Sequence, residues 1–585
     1  MRSIVIFGAA VLALITAHGV LAASRPAEEG DRGMVVSSQH LASEIGARIL
    51  RDGGNAIDAA VGVGYAQAVT NACCGNIGGG GFMVIHLADG RETFINFRET
   101  APAAASRDMY LDEGGMPVPG ASLRGYLAAG VPGTVLGLDT ALREYGTMTR
   151  AQVMAPAIGL AREGFVLLRA DTDIIDAGAT ILKADPEAAK VFFRADGSAL
   201  MPGDRMVQSA LADTLEAIAL TGPDAFYKGA RAQAVEAASR AHGGVLTAAD
   251  FAGYSVTEGA PVRCTYRGYV FSSAPPPSSG GVALCEILGI LEGYDMKAAG
   301  FHSARSIHLM AEAMRHAFMD RNTYLGDPAF VSNPIDRLLS KDYAAAIRAQ
   351  IEPDRATPSR DVQPGSIPHE HTETTHYSVA DAAENAVAVT YTVNGIFGAG
   401  VIAPGTGYLL NNEMDDFTVK PGVPNLFGLV QGAANAIAPG KRPLSSMAPT
   451  IVTRGGKVAM VLGSPGGSRI ITITLQTALN MIDHGMQPQE AVDAPRIHMQ
   501  WLPDTLFVEP FALSPDTRSI LEGMGYKIVE QTPWGAAEII VLPVAGSLDG
   551  PASSGNDSRS GGAMRPGHIY GANDNRRPAG SAVGQ

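Results

Sequence analysis

Positive charge is in short supply in this chain. Forty-four Lys and Arg stand against 58 Asp and Glu, a formal net charge of −14 over 585 residues. That deficit argues against nucleic acid or an anionic membrane surface as a partner, because both are bound by neutralising phosphates. It says little about a small zwitterionic ligand, which a few local charges can hold. Cysteine is scarce as well. Cys73, Cys74, Cys264 and Cys285 are too few for a disulfide scaffold in a chain of this length. Adjacent cysteines such as Cys73 and Cys74 meet the geometry of a mutual disulfide poorly. Cys264 and Cys285 could pair, which sequence alone does not decide. Long apolar runs are missing except near the start, where Met1-Arg2 precedes a mostly apolar Ile4 to Val20 and then Leu21-Ala22-Ala23-Ser24. A basic start, a short apolar centre and small residues at Ala22 and Ala23 read as a signal peptide, residues 1–23. The run falls short of the about 20 residues that span a bilayer. The expectation is a periplasmic or secreted protein with no stable membrane span.

Two site patterns are missing too. His369-Glu370-His371 comes near a zinc-protease motif, but His-Glu-x-x-His requires histidine where the chain has Glu373. The run Gly75-Asn76-Ile77-Gly78-Gly79-Gly80-Gly81 follows the helix-like segment Ala56 to Ala72. A dinucleotide site needs strand, turn and helix in that order, so none is expected here. Nor is there a linker-like break before residue 547. Helices are expected to cluster between Ser37 and Thr70 and between Leu138 and Gln350. Ser303 to Asp320 carries Ile307, Met310, Met314 and Phe318 on one helical stripe. Pro275 to Gly281 reads as a rigid turn before a helix near Val282. Strand signals dominate from Thr374 to Tyr408 and from Thr450 to Leu462. The pattern suits one large α+β unit whose helices cover a sheet stack. Ser547 to Met564, rich in Gly, Ser, Asp and Pro, reads as a disordered insertion. Residues 573–585 read as a tail.

What the chain does hold is a hairpin that opens on threonine. Thr374 to Ala380 alternates as a half-buried strand does, and Ala386 to Asn394 is rich in Val, Thr and Tyr. Asp381 to Asn385 is a permitted five-residue loop. If Ala380 faces Ala386, Thr374 lies opposite Thr392, with Asn394 on the same face. A one-residue slip would turn Thr392 away. An aliphatic hydroxyl needs a nearby base to act as a nucleophile. A threonine freed as a new N-terminus carries one, since an α-amine titrates near about 7.7–8. The chain would have to be cut between Glu373 and Thr374. His376 shares the Thr374 face but would have no necessary task beside an amine base, so a structural role is expected for it. From the hairpin alone, an ordinary Thr-rich strand start remains open.

Downstream, Val458 to Leu462 is a short apolar run leading into Gly463-Ser464-Pro465-Gly466-Gly467-Ser468, with a helix-like segment from Arg469. Glycines between a strand and a helix N-terminus allow bare N–H groups to converge on one spot, which is how an oxyanion hole is made; a plain Gly-Pro turn is the alternative.

Several motifs extend the reading. Thr374-Thr375-His376-x-Ser378-Val379, then Asn385-x-Val387-x-x-Thr390-x-Thr392-Val393-Asn394, then Phe397-Gly398, resemble the signature of the γ-glutamyltranspeptidases, which are N-terminal-nucleophile hydrolases. Phe97 to Pro102, Arg321 to Pro328, Asn411 to Phe417, Lys441 to Met447 and Gly463 to Arg469 resemble further family motifs in order, as does the glycine run at Gly78 to Gly81. The resemblance spans residues 30–545 and a short piece at His568 to Ala572. One departure is Glu384, where the family has glycine.

The resemblance implies a four-layer αββα sandwich, cut by itself into a large subunit, 24–373, and a small one, 374–585, that stay co-folded as a heterodimer. Thr374 would be the nucleophile and Thr392 would orient it. Gly466 and Gly467 would form the oxyanion hole. Arg98 with Ser445 and Ser446 would hold the substrate α-carboxylate, a guanidinium being suited to bidentate pairing. Glu413 and Asp416 would hold the α-ammonium, and Asn394 would also bind substrate. Lys420 to Gly428 resembles a lid loop, with Phe427 at its aromatic position, often Tyr in the family. Implied substrates are glutathione and related γ-glutamyl compounds, with water, amino acids or peptides as acceptors. No cofactor and no metal are called for. Two alternatives remain: a glutaryl or cephalosporin acylase of the same superfamily, whose acyl group would have no use for Asp416, and an uncut, inactive extracellular binding protein.

Overall fold

The structure, a computed structural model, describes residues 24–359, 374–544 and 564–585. The expected signal peptide, Glu373 and residues 547–563 lie outside the described residues. Two seven-stranded sheets form the centre. Their strands, in chain order, are β1 (Glu28–Gly30), β2 (Gly33–Ser37), β3 (Gly80–His86), β4 (Glu92–Phe97), β5 (Thr257–Gly259), β6 (Val262–Tyr266) and β7 (Tyr269–Ser273). After these come β8 (Thr375–Asp381), β9 (Ala386–Thr392), β10 (Thr450–Arg454), β11 (Lys457–Gly463), β12 (Glu538–Val541), β13 (Ile569–Asn573) and β14 (Ser581–Gly584). One sheet runs β1-β13-β12-β11-β10-β7-β6 and the other β14-β2-β8-β9-β3-β4-β5.

Small and branched side chains fill the space between the sheets, among them Val36, Val84, Ala380, Ala388, Ile451, Val461 and Ile540. Helices cover both outer faces. On the β8 sheet lie α1 (His40–Arg51), α2 (Ala56–Thr70) and α3 (Thr134–Tyr145); on the β11 sheet lie α4 (Gly280–Leu291), α5 (Ala304–Tyr324), stacked on α4, and α6 (Ile470–Ile482). This is the expected αββα sandwich. Every residue of α2 is buried, because other helices pack on the side it turns from the sheet, so it lacks a polar stripe. Its start is fixed by a capping box between Asn55 and Asp58. Helix α5 starts on the Ser303 cap and buries Ile307, Met310, Met314 and Phe318. Among the described residues no helix is long and apolar enough to cross a membrane.

The hairpin has the expected register. Ala380 pairs with Ala386 and the ladder continues to Thr375 opposite Tyr391, so Thr374 meets Thr392 one step on. Asp381 holds the turn by accepting from the amides of Ala383 (2.9 Å) and Asn385 (3.0 Å), and from the Ala56 amide at the start of α2 (2.9 Å). Glu384 takes φ 68°, the left-handed conformation that glycine would adopt more easily.

Two expectations need correction, on the strand after Thr374 and on the adjacent cysteines. Strand β9 stops at Thr392 instead of continuing to Tyr408, because Asn394 (φ 74°), Phe397 (φ 57°) and Gly398 (φ 57°) turn the backbone out of the pleat. Helices cluster between Leu138 and Gln350 as expected, with β5, β6 and β7 among them. The tail, for which the sequence carried no expectation, ends in a strand: β14 pairs with β2, Ser581 opposite Ser37 through Gly584 opposite Met34. Finally, Cys73 and Cys74 are joined to each other in the tight turn after α2, where successive side chains need not alternate as on a strand, and Cys264 is joined to Cys285, linking β6 to α4.

Candidate active site

Thr374 sits immediately before β8 and Thr392 closes β9, both buried. The Thr392 hydroxyl donates to Thr374 Oγ1 at 3.4 Å, while its own oxygen accepts from the Asn394 amide at 2.8 Å. The left-handed backbone at Asn394 makes that second contact possible, and the Asn394 side chain is fixed by donating to the Asn412 carbonyl at 3.0 Å. The glycine run serves this arrangement rather than a phosphate. Strand β3 packs against β9 with Gly80 opposite Thr392, and a Cβ on Gly79 would stand 1.8 Å from the Thr392 carbonyl oxygen.

Beyond the end of β11 the chain passes Gly466 (φ 143°) and Gly467 (φ 54°) into α6. Gly467 lines a small cavity of about 20 Å³ with Thr374, Thr392, Asn394, Arg98, Glu413, Asp416, Ser445 and Ser446. Nearly every expected site residue is therefore gathered at one place. Gly466 does not line the cavity, and Glu373 lies outside the described residues. The lid reaches it too: Phe427 lines the cavity, and a Cβ on Gly467 would stand 2.4 Å from its ring. The lid is held by Asp415, which accepts from Ser122 Oγ (2.7 Å) and the Leu426 amide (2.8 Å), and Asn425 Nδ2 reaches Asp416 at 3.4 Å. Burial pushes the Asp415 carboxyl up to about 6.

The charged residues form one cluster. Arg98, fully buried just after β4, donates to Glu413, to Asp416 Oδ2 (2.5 Å) and, from Nε, to the Pro443 carbonyl (3.2 Å). The groups expected to grip opposite ends of a ligand thus pair with each other in the cavity. Burial disfavours the Arg98 cation, but Glu413, Asp416 and Glu99 outweigh it and hold its pKa above the ordinary value. Burial also raises the carboxyls of Glu413 and Glu99, against the pull of Arg98, and brings Glu99 to about 7. Sequence reasoning missed one lining residue of the same kind. Arg321, from the last turn of α5, donates to Ser446 Oγ at 3.0 Å. Its motif was visible, but nothing local to it indicated that its guanidinium reaches this cavity.

His376 lies outside the cavity. It is buried between the sheets, bonded to Thr390 Oγ1 (2.8 Å) and Ser378 Oγ (3.1 Å), and burial pushes its imidazole down to about 3. That is a structural histidine, as expected.

A threonine at the head of a central strand of an αββα sandwich, with a second hydroxyl and a glycine turn beside it, defines the N-terminal-nucleophile hydrolase class. Comparison with known proteins narrows the class. The Gamma-glutamyltranspeptidase family model matches residues 42–566, and the chain belongs to that family. A glutathione hydrolase proenzyme of Pseudomonas sp. (strain A14) is 55% identical over 572 residues, covering 98% of this chain and 97% of that protein. The glutathione hydrolase proenzyme of Escherichia coli (strain K12) is 50% identical, covering 89% of this chain and 90% of that protein. Among solved structures, a cephalosporin acylase from Bacillus halodurans superposes with a TM-score of 0.82 at 27% identity, covering 97% of this chain and 98% of that one.

Proposed function

We propose that this enzyme cleaves γ-glutamyl amides such as glutathione and passes the acyl group to water, amino acids or peptides, in the periplasm or outside the cell. The observation that carries the reading is the Thr392–Thr374 hydroxyl contact within a cavity that also holds Arg98, Asp416 and the two serines.

Maturation comes first. The Thr374 hydroxyl attacks the Glu373 carbonyl, the resulting ester is hydrolysed, and the chain separates into residues 24–373 and 374–585, with the α-amine of Thr374 free. That amine then takes the proton of Thr374 Oγ1 as the oxygen attacks the γ-amide carbonyl. The Thr392 hydroxyl, its lone pair engaged by the Asn394 amide, directs its hydrogen towards the nucleophile. The amides at Gly466 and Gly467 stabilise the oxyanion. The amine returns the proton to the leaving group, and water or an acceptor amine resolves the γ-glutamyl ester. At the far end of the substrate, Asp416 with Glu413 receives the α-ammonium while Arg98, Ser445 and Ser446 face the α-carboxylate. A cavity of about 20 Å³ holds little more than a water molecule, so the Phe427 lid opens to admit substrate.

The acylase reading shares the nucleophile and differs at Asp416. A glutaryl group lacks the ammonium that Asp416, with Glu413, is placed to receive, so Asp416 would keep Arg98 as its ion-pair partner and add nothing to binding. Comparing hydrolysis of γ-glutamyl- and glutaryl-p-nitroanilide decides: cleavage of the glutaryl compound alone would overturn the substrate assignment. The nucleophile is tested separately. Thr374→Ala is expected to remain one inactive chain, and mass spectrometry of the native protein should find a fragment beginning at Thr374. Two bands on a denaturing gel from the alanine variant would sink the mechanism.

A further inference from the structure

Arg321 is a buried cation without an anion. Its guanidinium donates from Nε to Ser279 Oγ (2.9 Å), from Nη1 to Asn322 Oδ1 (2.7 Å) and Gln431 Oε1 (3.3 Å), and from Nη2 to Ser446 Oγ (3.0 Å). All four acceptors are neutral, and among the described residues no carboxylate comes within ion-pair distance. Burial pulls its pKa down to about 10, with Asp416 opposing and nearby Arg98 adding to the effect, so it stays charged at neutral pH. Arg98 is in the opposite condition, paired with both Glu413 and Asp416. Of the two guanidiniums lining the cavity, only Arg321 has its charge uncompensated.

The neighbouring serines indicate what that charge is for. Ser446 Oγ accepts from Arg321, and Ser445 Oγ accepts from the Met447 amide at 3.1 Å. Each hydroxyl keeps its proton, and among the described residues neither donates it to a protein acceptor. Two O–H donors beside an unpaired cation suit a carboxylate. Ser279 fixes the other side of the guanidinium, accepting from Nε while donating to the Ser445 carbonyl at 2.6 Å.

We propose that Arg321 is a positioning residue for the carboxylate of the acyl group. Acting through Ser446, it turns that hydroxyl towards the carboxylate and supplies the positive charge that Arg98 has largely given to Glu413 and Asp416. This rests on the γ-glutamyl reading, and the test separates the two. Arg321→Met and Arg321→Lys are compared with the native enzyme on p-nitroanilides of three acyl groups: L-γ-glutamyl, glutaryl, which lacks the ammonium, and 4-aminobutyryl, which lacks the carboxylate. The methionine variant should raise KM for the γ-glutamyl compound about tenfold or more, the scale of a lost charge-assisted hydrogen bond, with kcat changed less than about threefold. The lysine variant should recover part of that loss. On the 4-aminobutyryl compound kcat/KM should stay within about threefold of the native value, because there is no carboxylate to position. Equal losses on all three substrates, or a fall confined to kcat, would overturn the proposal. If the methionine variant fails to mature, Arg321→Gln takes its place under the same criteria. A native enzyme inactive on the γ-glutamyl compound removes the reading beneath it.

Discussion

Thr392 shows how much a single hydroxyl can be asked to do. In the proposed mechanism it contributes no charge and no proton, yet its oxygen is engaged by the Asn394 amide and its hydrogen points at Thr374. Thr392→Val keeps the shape and removes the hydrogen bond. Steady-state kinetics of the matured variant should show kcat lower by about 10- to 100-fold with KM little changed, the signature of an interaction made chiefly in the transition state. This pair was legible in the sequence because strand pairing is arithmetic: once Ala380 faces Ala386, every opposed pair follows. Arg321 was not legible as a site residue. A guanidinium's role depends on which acceptors the tertiary fold brings to it, and its partners at 279, 431 and 446 are remote in the chain.

Among the elements, the hairpin that follows Thr374 carries two measurable tensions. Glu384 occupies a left-handed position that costs a side-chain-bearing residue about 1 kcal/mol. Its contact with Lys457 (3.3 Å) is exposed and returns little. Glu384→Gly should therefore stabilise the protein by about 0.5–1 kcal/mol, seen as a higher urea midpoint. His376 is the second. Its imidazole titrates near 3 when folded, against an ordinary 6.5. Between those values the unfolded chain holds a proton that the folded chain does not. Its contribution is complete above about pH 6.5 and is lost progressively as the pH falls towards 3. His376→Asn should lower stability at neutral pH, through the bonds to Thr390 and Ser378, yet flatten the acid limb by up to about one proton's worth. Urea midpoints of both proteins from pH 4 to 7 would show it; parallel curves would exclude the assignment. Helix α5 was readable from its apolar stripe, and the glycine-to-helix turn before α6 from its composition. The loop after Thr392 was not, because Val393, Ile396 and Phe397 favour strands and only the positive φ angles show that they leave one.

For the whole molecule, the decisive feature is how the two portions of chain share both sheets. β2, from before Thr374, lies between β14 and β8, from after it, and β1 caps β13 at the edge of the other sheet. The last strand escaped sequence reading because Ser-Ala-Val-Gly is too short and too small to announce itself, and the pairing partner supplies most of its stability. Removing residues 581–585 exposes one edge of β2, the strand on which β8 is built, and frees the backbone contacts of Gln585 with Arg32 (2.8 Å) and Gly33 (3.0 Å). Such a truncation should lower the thermal midpoint and reduce the matured fraction on a denaturing gel, although no cavity residue has changed.

Interleaving also limits what two versions of this protein could do in one cell. Each half needs the strands of the other to close its sheets, so a break before Thr374 leaves partners that hold each other without a covalent bond and have no separate folded form to exchange. A cell making the native chain alongside Thr374→Ala would therefore contain two pure populations and no hybrids. Activity should track gene dosage, with neither rescue nor dominant interference.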